Sequence, residues 1–114
     1  MSDCVFCGIV SGEIDADVVA EAEDWIAFRD LRPQAPVHVL VVPREHVPTL
    51  NDLSPDHDAL VGRLVRAGAS VAASEGIADE GWRLVVNCNA GAGQTVFHVH
   101  AHVLGGRPLG WPPG

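Results

Sequence analysis

The chain predicts an α+β domain: an antiparallel sheet of about five strands, one long helix and a short N-terminal helix. Three observations carry that prediction. Short β-branched runs follow one another instead of alternating with helices, a single segment keeps helical apolar spacing over several turns, and Gly and Pro punctuate the rest. At 114 residues the sequence fits one domain, 1–114, with little room for another. With 47% hydrophobic and 19% charged residues it has enough apolar side chains to offset the entropy of ordering, which excludes a disordered tail.

The elements follow in order. Residues 4–10 make a helical turn or two, stopped by Gly12. Residues 18–22 and 25–29 read as a hairpin closed by Glu23 and Asp24. A polar, Pro-containing loop, 30–36, leads to residues 37–42, a nearly continuous apolar run closed by Pro43 and hence a central strand covered on both faces. Ser54 as N-cap, Pro55 at the first helical position, and Asp56 and Asp58 near the positive dipole end start the long helix. Leu60, Leu64, Ala67 and Val71 recur on one of its faces, and Gly76 ends it. Gly62 and Gly68 each weaken that helix by about 1 kcal/mol relative to Ala. They either admit another backbone, for instance across a dimer interface, or are simply tolerated. Two strands, 82–87 and 95–104, complete the sheet around the small-residue loop 88–94.

Seven basic residues, all Arg, stand against 15 acidic ones, for a formal net charge of −8. Gripping nucleic acid by its phosphates requires a basic surface, so no nucleic-acid partner is expected, whereas a small phosphate ligand held locally is compatible. No run approaches the roughly 18–20 apolar residues that span a bilayer, and the first residues lack a signal-peptide pattern. No membrane partner is expected, and the expected location is cytoplasmic.

His98-Val99-His100-Ala101-His102-Val103-Leu104 is the strongest chemical signal. In a strand the three histidines share one face while Val99, Ala101 and Val103 take the other. Such a row serves one of two chemistries. It binds zinc with an open position that activates water, or one imidazole attacks phosphorus to form a covalent intermediate while a neighbour exchanges protons with the leaving group. The preceding loop, with Gly91, Ala92 and Gly93, brings backbone N–H groups close to an anion, and Gln94 and Thr95 add side-chain donors. Cys4 and Cys7, spaced C-x-x-C among three cysteines, point to metal binding or redox chemistry before a disulfide. His46 and His98 are candidate partners, and a Cys2His2 set makes zinc structural. Asp30, at a strand edge, can accept both hydroxyls of a ribose, with His38 at the start of the next strand. His57 reads as a surface residue.

The histidine run resembles the signature of the histidine-triad (HIT) superfamily. The opening from Cys4 to Val10 with Gly12-Glu13-Ile14, Pro33-Gln34-Ala35-Pro36-Val37-His38, Val42-Pro43-Arg44-Glu45-His46, Gly93-Gln94-Thr95-Val96-Phe97-His98, Leu104-Gly105-Gly106-Arg107 and the ending Trp111-Pro112-Pro113-Gly114 are similar to its HINT branch. The resemblance implies a homodimeric HIT fold with the long helix and a strand at the interface, and the tail 105–114 near the active site or that interface. It implies a hydrolase for P–N bonds of purine nucleoside phosphoramidates, with the nucleoside monophosphate as ligand. His100 is then the nucleophile, His102 the contact to phosphate and leaving group, and His38 a neighbour in the pocket. Asp30 binds the ribose, Asn87 lies near the phosphate, and Gly93, Gln94 and Thr95 form the phosphate loop. Structural zinc falls to Cys4, Cys7, His46 and His98, and the chemistry needs no catalytic metal. Departures from the pattern are Asn89 and Ala92 in place of glycines, Ala101 in place of a larger residue, and Arg44 in place of lysine. The alternatives are hydrolysis of dinucleoside polyphosphates, disfavoured by the cysteine pair and the tail, and an AMP-binding scaffold with incidental turnover.

Overall fold

A computed structural model describes residues 3–114 of the protein. Five antiparallel strands form one sheet: β1 (Val18–Glu21), β2 (Trp25–Arg29), β3 (Val37–Pro43), β4 (Trp82–Val85) and β5 (Ala101–Gly105). Their spatial order is β1-β2-β3-β5-β4. The nearly continuous apolar run of β3 thus lies at the centre, where both its faces are covered.

Period-2 alternation sorts the side chains of each strand to two sides. Ala27, Val39, Val41, Ala101 and Val103 pack under the helix α2 (Asp58–Ser74), whose Leu60, Leu64, Ala67 and Val71 are buried as the spacing requires. Ile26, Phe28, Leu40 and Val42 face the other way and pack with Phe6 of the short helix α1 (Val5–Ser11). Gly12, at φ 86°, caps α1 in the left-handed conformation that glycine adopts without strain. The same alternation puts His38 and His102 on the α1 side of the sheet, one strand apart, with Leu40 directly opposite His102.

The last two strands are shorter than the sequence suggests, and only His102 of the three histidines lies in β5. The reason sits at Pro43, which ends β3 and has no N–H to donate. The Pro43 carbonyl accepts from the His98 ring at 2.7 Å, and Val99 N–H turns to the Val47 carbonyl at 2.7 Å, so the chain before Ala101 leaves the ladder. Its side chains still divide as predicted: the histidines cluster near Phe6, and Val99 joins Ala101 beneath α2. The long helix opens with a 3-10 turn, Pro55–His57, before its α-helical part. His57 is not a bare surface residue: its Nδ1 accepts from Ser54 N–H at 3.0 Å and its Nε2 lies 2.9 Å from Glu45. Gly68 admits side chains of the same chain, not another backbone. A methyl group there would meet Leu84 Cδ1 at 2.8 Å, whereas one at Gly62 meets nothing.

Candidate active site

His98, His100, His102 and His38 converge on the α1 side of the sheet, and their hydrogen bonds determine which nitrogen carries each proton. A carbonyl only accepts, so the 2.7 Å contact of His100 Nδ1 with the His98 carbonyl makes Nδ1 the protonated nitrogen. His100 Nε2 is left with a free lone pair. Gln34 N–H donates to His38 Nδ1 at 3.0 Å, which puts the His38 proton on Nε2. That N–H reaches His102 Nδ1 at 2.8 Å, with Asp30 Oδ2 at 3.4 Å as a second acceptor. His102 therefore carries its own proton on Nε2. The result is an ordered row, a bare nitrogen on His100 beside a donor on His102, with ring centroids 5.0 Å apart.

Both rings open onto a cleft of about 310 Å3. One part of its wall is apolar, from Phe6, Ile9, Ile14, Phe28 and Leu40; the other carries His100, His102, Asp30 and Thr95. An apolar cleft with a few convergent polar groups is the usual form of a small-molecule site. Burial lowers the pKa of both histidines by penalising the charged form. His102, which also faces His100 and His38, falls to about 4, and His100 is likewise held below the ordinary imidazole value. Both rings are neutral near pH 7, as a nucleophilic imidazole must be.

The loop before the triad differs from the expected cradle. Ala90–Ala92 form a 3-10 turn closed by Gly93 at φ 95°, and the N–H groups of Ala92, Gly93 and Gln94 bond back to Asn89 or Ala90 at 3.0–3.1 Å. The buried Gln94 side chain accepts from Asn89 N–H and donates to the carbonyls of Pro48 and Val96. Gly93 and Gln94 thus shape the loop with donors already used, and the Thr95 side chain is what the loop adds to the cleft. Asn87 lies two residues beyond β4, half-buried, and its side chain has no hydrogen-bond partner among the described residues. Asn89, with φ 70°, tolerates positive φ better than most residues.

A second cluster adjoins the first through His98. Cys4 Sγ and Cys7 Sγ lie 3.4 and 3.5 Å from His98 Nδ1, and His46 Nδ1 lies 3.2 Å from both Cys7 Sγ and His98 Nδ1. Bonds of about 2.0–2.3 Å to a tetrahedral zinc place ligand atoms roughly 3.3–3.8 Å apart, close to these spacings. The protonation state agrees, because His98 donates its Nε2–H to Pro43 and turns a bare Nδ1 toward the sulfurs. The four side chains form a group able to hold a metal ion. Asp30, His38 and His102 are also within metal-ligating distance of one another. There the His38 Nε2 carries a proton, and the group is a hydrogen-bonded chain.

Two contributions escaped the sequence. Gln34 acts through its main chain, which leaves no signature in side-chain type. Phe6, Ile9, Phe28 and Leu40 look like ordinary core residues in the sequence, and it is the fold that makes them walls of the cleft. Arg107, in the tail, donates to the Gln34 carbonyl at 2.9 Å, while Trp111 stays 84% exposed, so within one chain the tail reaches the site through Arg107.

A short helix and a long one flanking a five-stranded sheet, with a histidine row at the mouth of a cleft, define the class, and comparison with known proteins agrees. The HIT domain family model matches residues 11–109, and the chain belongs to that family. Purine nucleoside phosphoramidase of Escherichia coli (strain K12) is 45% identical over 108 residues, which cover 95% of this chain and 91% of the relative. A HIT family hydrolase from Legionella pneumophila Philadelphia 1 superposes with a TM-score of 0.96 at 47% identity, covering 98% of this chain and 100% of that one. A Zn-bound histidine triad family protein from Mycobacterium smegmatis gives a TM-score of 0.79 at 33% identity, covering 98% of this chain and 80% of that one.

Proposed function

We propose that the protein is a hydrolase that cleaves the P–N bond of purine nucleoside 5′-phosphoramidates through a nucleotidyl intermediate on His100. The observation that carries this reading is the unprotonated Nε2 of His100, fixed by the Nδ1–H bond to the His98 carbonyl and set in the cleft beside His102. The base enters the apolar part of the cleft, Asp30 takes the ribose hydroxyls, and the Thr95 hydroxyl and His102 contact the phosphate. Asn87 lies near that phosphate, with Gly93 and Gln94 shaping the loop beside it.

The steps balance without further reactants. His100 Nε2 attacks phosphorus, the P–N bond breaks with its electron pair on nitrogen, and the amine leaves after taking a proton from His102. The bound phosphate makes this possible: its negative charge favours the protonated form of His102 that burial alone disfavours, and the His38 Nε2–H that neutral His102 accepts then turns to Asp30 Oδ2, its second acceptor. Water then attacks the same phosphorus, the bond to His100 breaks, and the proton of water returns to His102. Positioning and donors aimed at the phosphoryl oxygens supply most of the acceleration.

The cluster of Cys4, Cys7, His46 and His98 would hold structural zinc. Zinc there clamps α1 to the segment that carries the His98 carbonyl, and so supports the bond that orients His100. The assembly we infer is a homodimer across α2 and β4. β4 is an edge strand, and beside it Val61, Val65, Leu84 and Val86 line a small apolar depression with Val65 49% exposed. The three cysteines are not joined by disulfides, which suits a reducing compartment such as the cytoplasm.

The test is steady-state hydrolysis of adenosine 5′-phosphoramidates beside matched adenosine 5′-phosphodiesters and diadenosine polyphosphates. We expect kcat/KM for the P–N substrate to exceed the others by at least about 10^2-fold, the size of discrimination a reacting site can achieve. Equal or better cleavage of the polyphosphates would favour the dinucleoside reading, and AMP binding without turnover of any of them would favour the scaffold.

A further inference from the structure

We propose that Arg32 is a specificity residue that docks a second anionic group of the substrate, beyond the phosphate at His100. This rests on the nucleotide reading above and adds a substrate class to it. Arg32 lines the cleft that holds Asp30, His100 and His102. Its main chain is pinned on both sides: its N–H donates to Asp30 Oδ1 at 2.7 Å, and its carbonyl accepts from Gln34 Nε2 at 3.0 Å. Gln34 is itself held by Arg107 and by His38. Position 32 is therefore fixed relative to the catalytic row, and only the side chain is free.

The guanidinium of Arg32 makes no hydrogen bond or ion pair among the described residues. That is unusual in this chain. Arg29, at the same rim, is held by Glu75 and Asp17; Arg44 is paired with Glu21, Arg63 with Asp24, and Arg83 and Arg107 bond to carbonyls. Arg66, on α2, is the other arginine without such a partner, and it lies outside the cleft. Asp15, Asp17 and Asp30 all line the cleft with Arg32, yet none of their carboxylates is within 4 Å of its guanidinium. In a chain of net charge −8, the uncommitted arginine at the cleft among the described residues is hydrogen-bonded through its main chain to Asp30, the residue proposed to take the ribose.

A planar five-donor fork in that place suits phosphate or carboxylate. In dinucleotide sites an acidic side chain takes a ribose hydroxyl, and where that ribose carries a phosphate a nearby arginine accommodates it. The second anion has two possible carriers on one substrate: a phosphate on the 2′ or 3′ ribose oxygen, or a carboxylate on the leaving amine. The shared chemistry is an anion within reach of residue 32.

The experiment measures ratios in wild type, Arg32→Gln and Arg32→Lys. Calorimetry compares AMP with adenosine 2′,5′- and 3′,5′-bisphosphate, and steady-state kinetics compares adenosine 5′-phosphoramidates of glycine and glycinamide. We expect the preference for the doubly anionic ligand over its partner to fall about tenfold in Arg32→Gln in one of the two comparisons, with partial recovery in Arg32→Lys. The comparison that responds identifies the carrier. Ratios that stay the same across all three proteins in both comparisons, with AMP bound normally by the wild type, would overturn the role of Arg32 alone. Failure of the wild type to bind AMP would remove the nucleotide reading and this role with it.

Discussion

His100 illustrates how a main-chain acceptor sets side-chain chemistry. Its Nδ1–H is committed to the His98 carbonyl, so the lone pair is on Nε2, where the cleft needs it. We expect His100→Ala to lower kcat at least about 10^3-fold while the fold persists, checked by turnover beside circular dichroism. The pH dependence belongs to this scale as well. His102 is held near pKa 4 in the free protein, so between pH 7 and pH 5 it stays neutral. His100 must be neutral to attack, and burial holds it below the ordinary imidazole value as well, so the acid limb of kcat/KM, which reports the free enzyme, lies below 6.5. An acid limb at 6.5 or above in the wild type would contradict that burial. Gln94 tests the loop. Its buried amide satisfies Asn89 N–H and two carbonyls, so Gln94→Leu should destabilise the protein by about 1–3 kcal/mol in urea denaturation.

Elements explain what the sequence made legible and what it hid. The hairpin, the central strand and the long helix follow from patterns of 2.0 and 3.6 residues that tertiary packing reinforces, and all three stand where the spacing put them. The ends of β4 and β5 do not, because a ladder stops where its partner lacks a donor, and Pro43 acts on residues more than fifty positions away. The candidate site divides in the same way. Three histidines in alternation, a cysteine pair and a lone edge aspartate are visible as residue types, whereas the Gln34 main chain and the inward turn of Gln94 depend on local geometry. Two glycines of α2 make this testable. Gly62→Ala meets open space and should stabilise the helix by about 0.5–1 kcal/mol, while Gly68→Ala forces Leu84 to move and should destabilise by about 1–3 kcal/mol. Equal effects of the two substitutions in thermal unfolding would mean that α2 does not pack on β4 as described.

The whole molecule couples its two histidine clusters to its stability. His38, His98, His100 and His102 all have lowered pKa values, chiefly through burial. The folded state then binds fewer protons than the unfolded one between those values and 6.5. Stability from these groups is complete above about pH 6.5 and is lost as pH falls toward the folded-state values. Tm should therefore decline steadily from pH 7.5 to pH 5, measured by scanning calorimetry at constant ionic strength. The proposed metal at Cys4, Cys7, His46 and His98 would add to this. If zinc is held there, a strong chelator should lower Tm and loosen α1, as read by hydrogen exchange of its amides, because an ion bound by both cysteines and both histidines would tie α1 to residues 46 and 98.

The central claim, that His100 Nε2 becomes covalently nucleotidylated, is tested most directly by mass spectrometry of the protein quenched within milliseconds of mixing with an adenosine 5′-phosphoramidate. The predicted result is an AMP-sized adduct on the wild type, mapped by fragmentation to His100 and absent from His100→Ala. Rapid turnover without any adduct, or an adduct that maps to another residue, would contradict it.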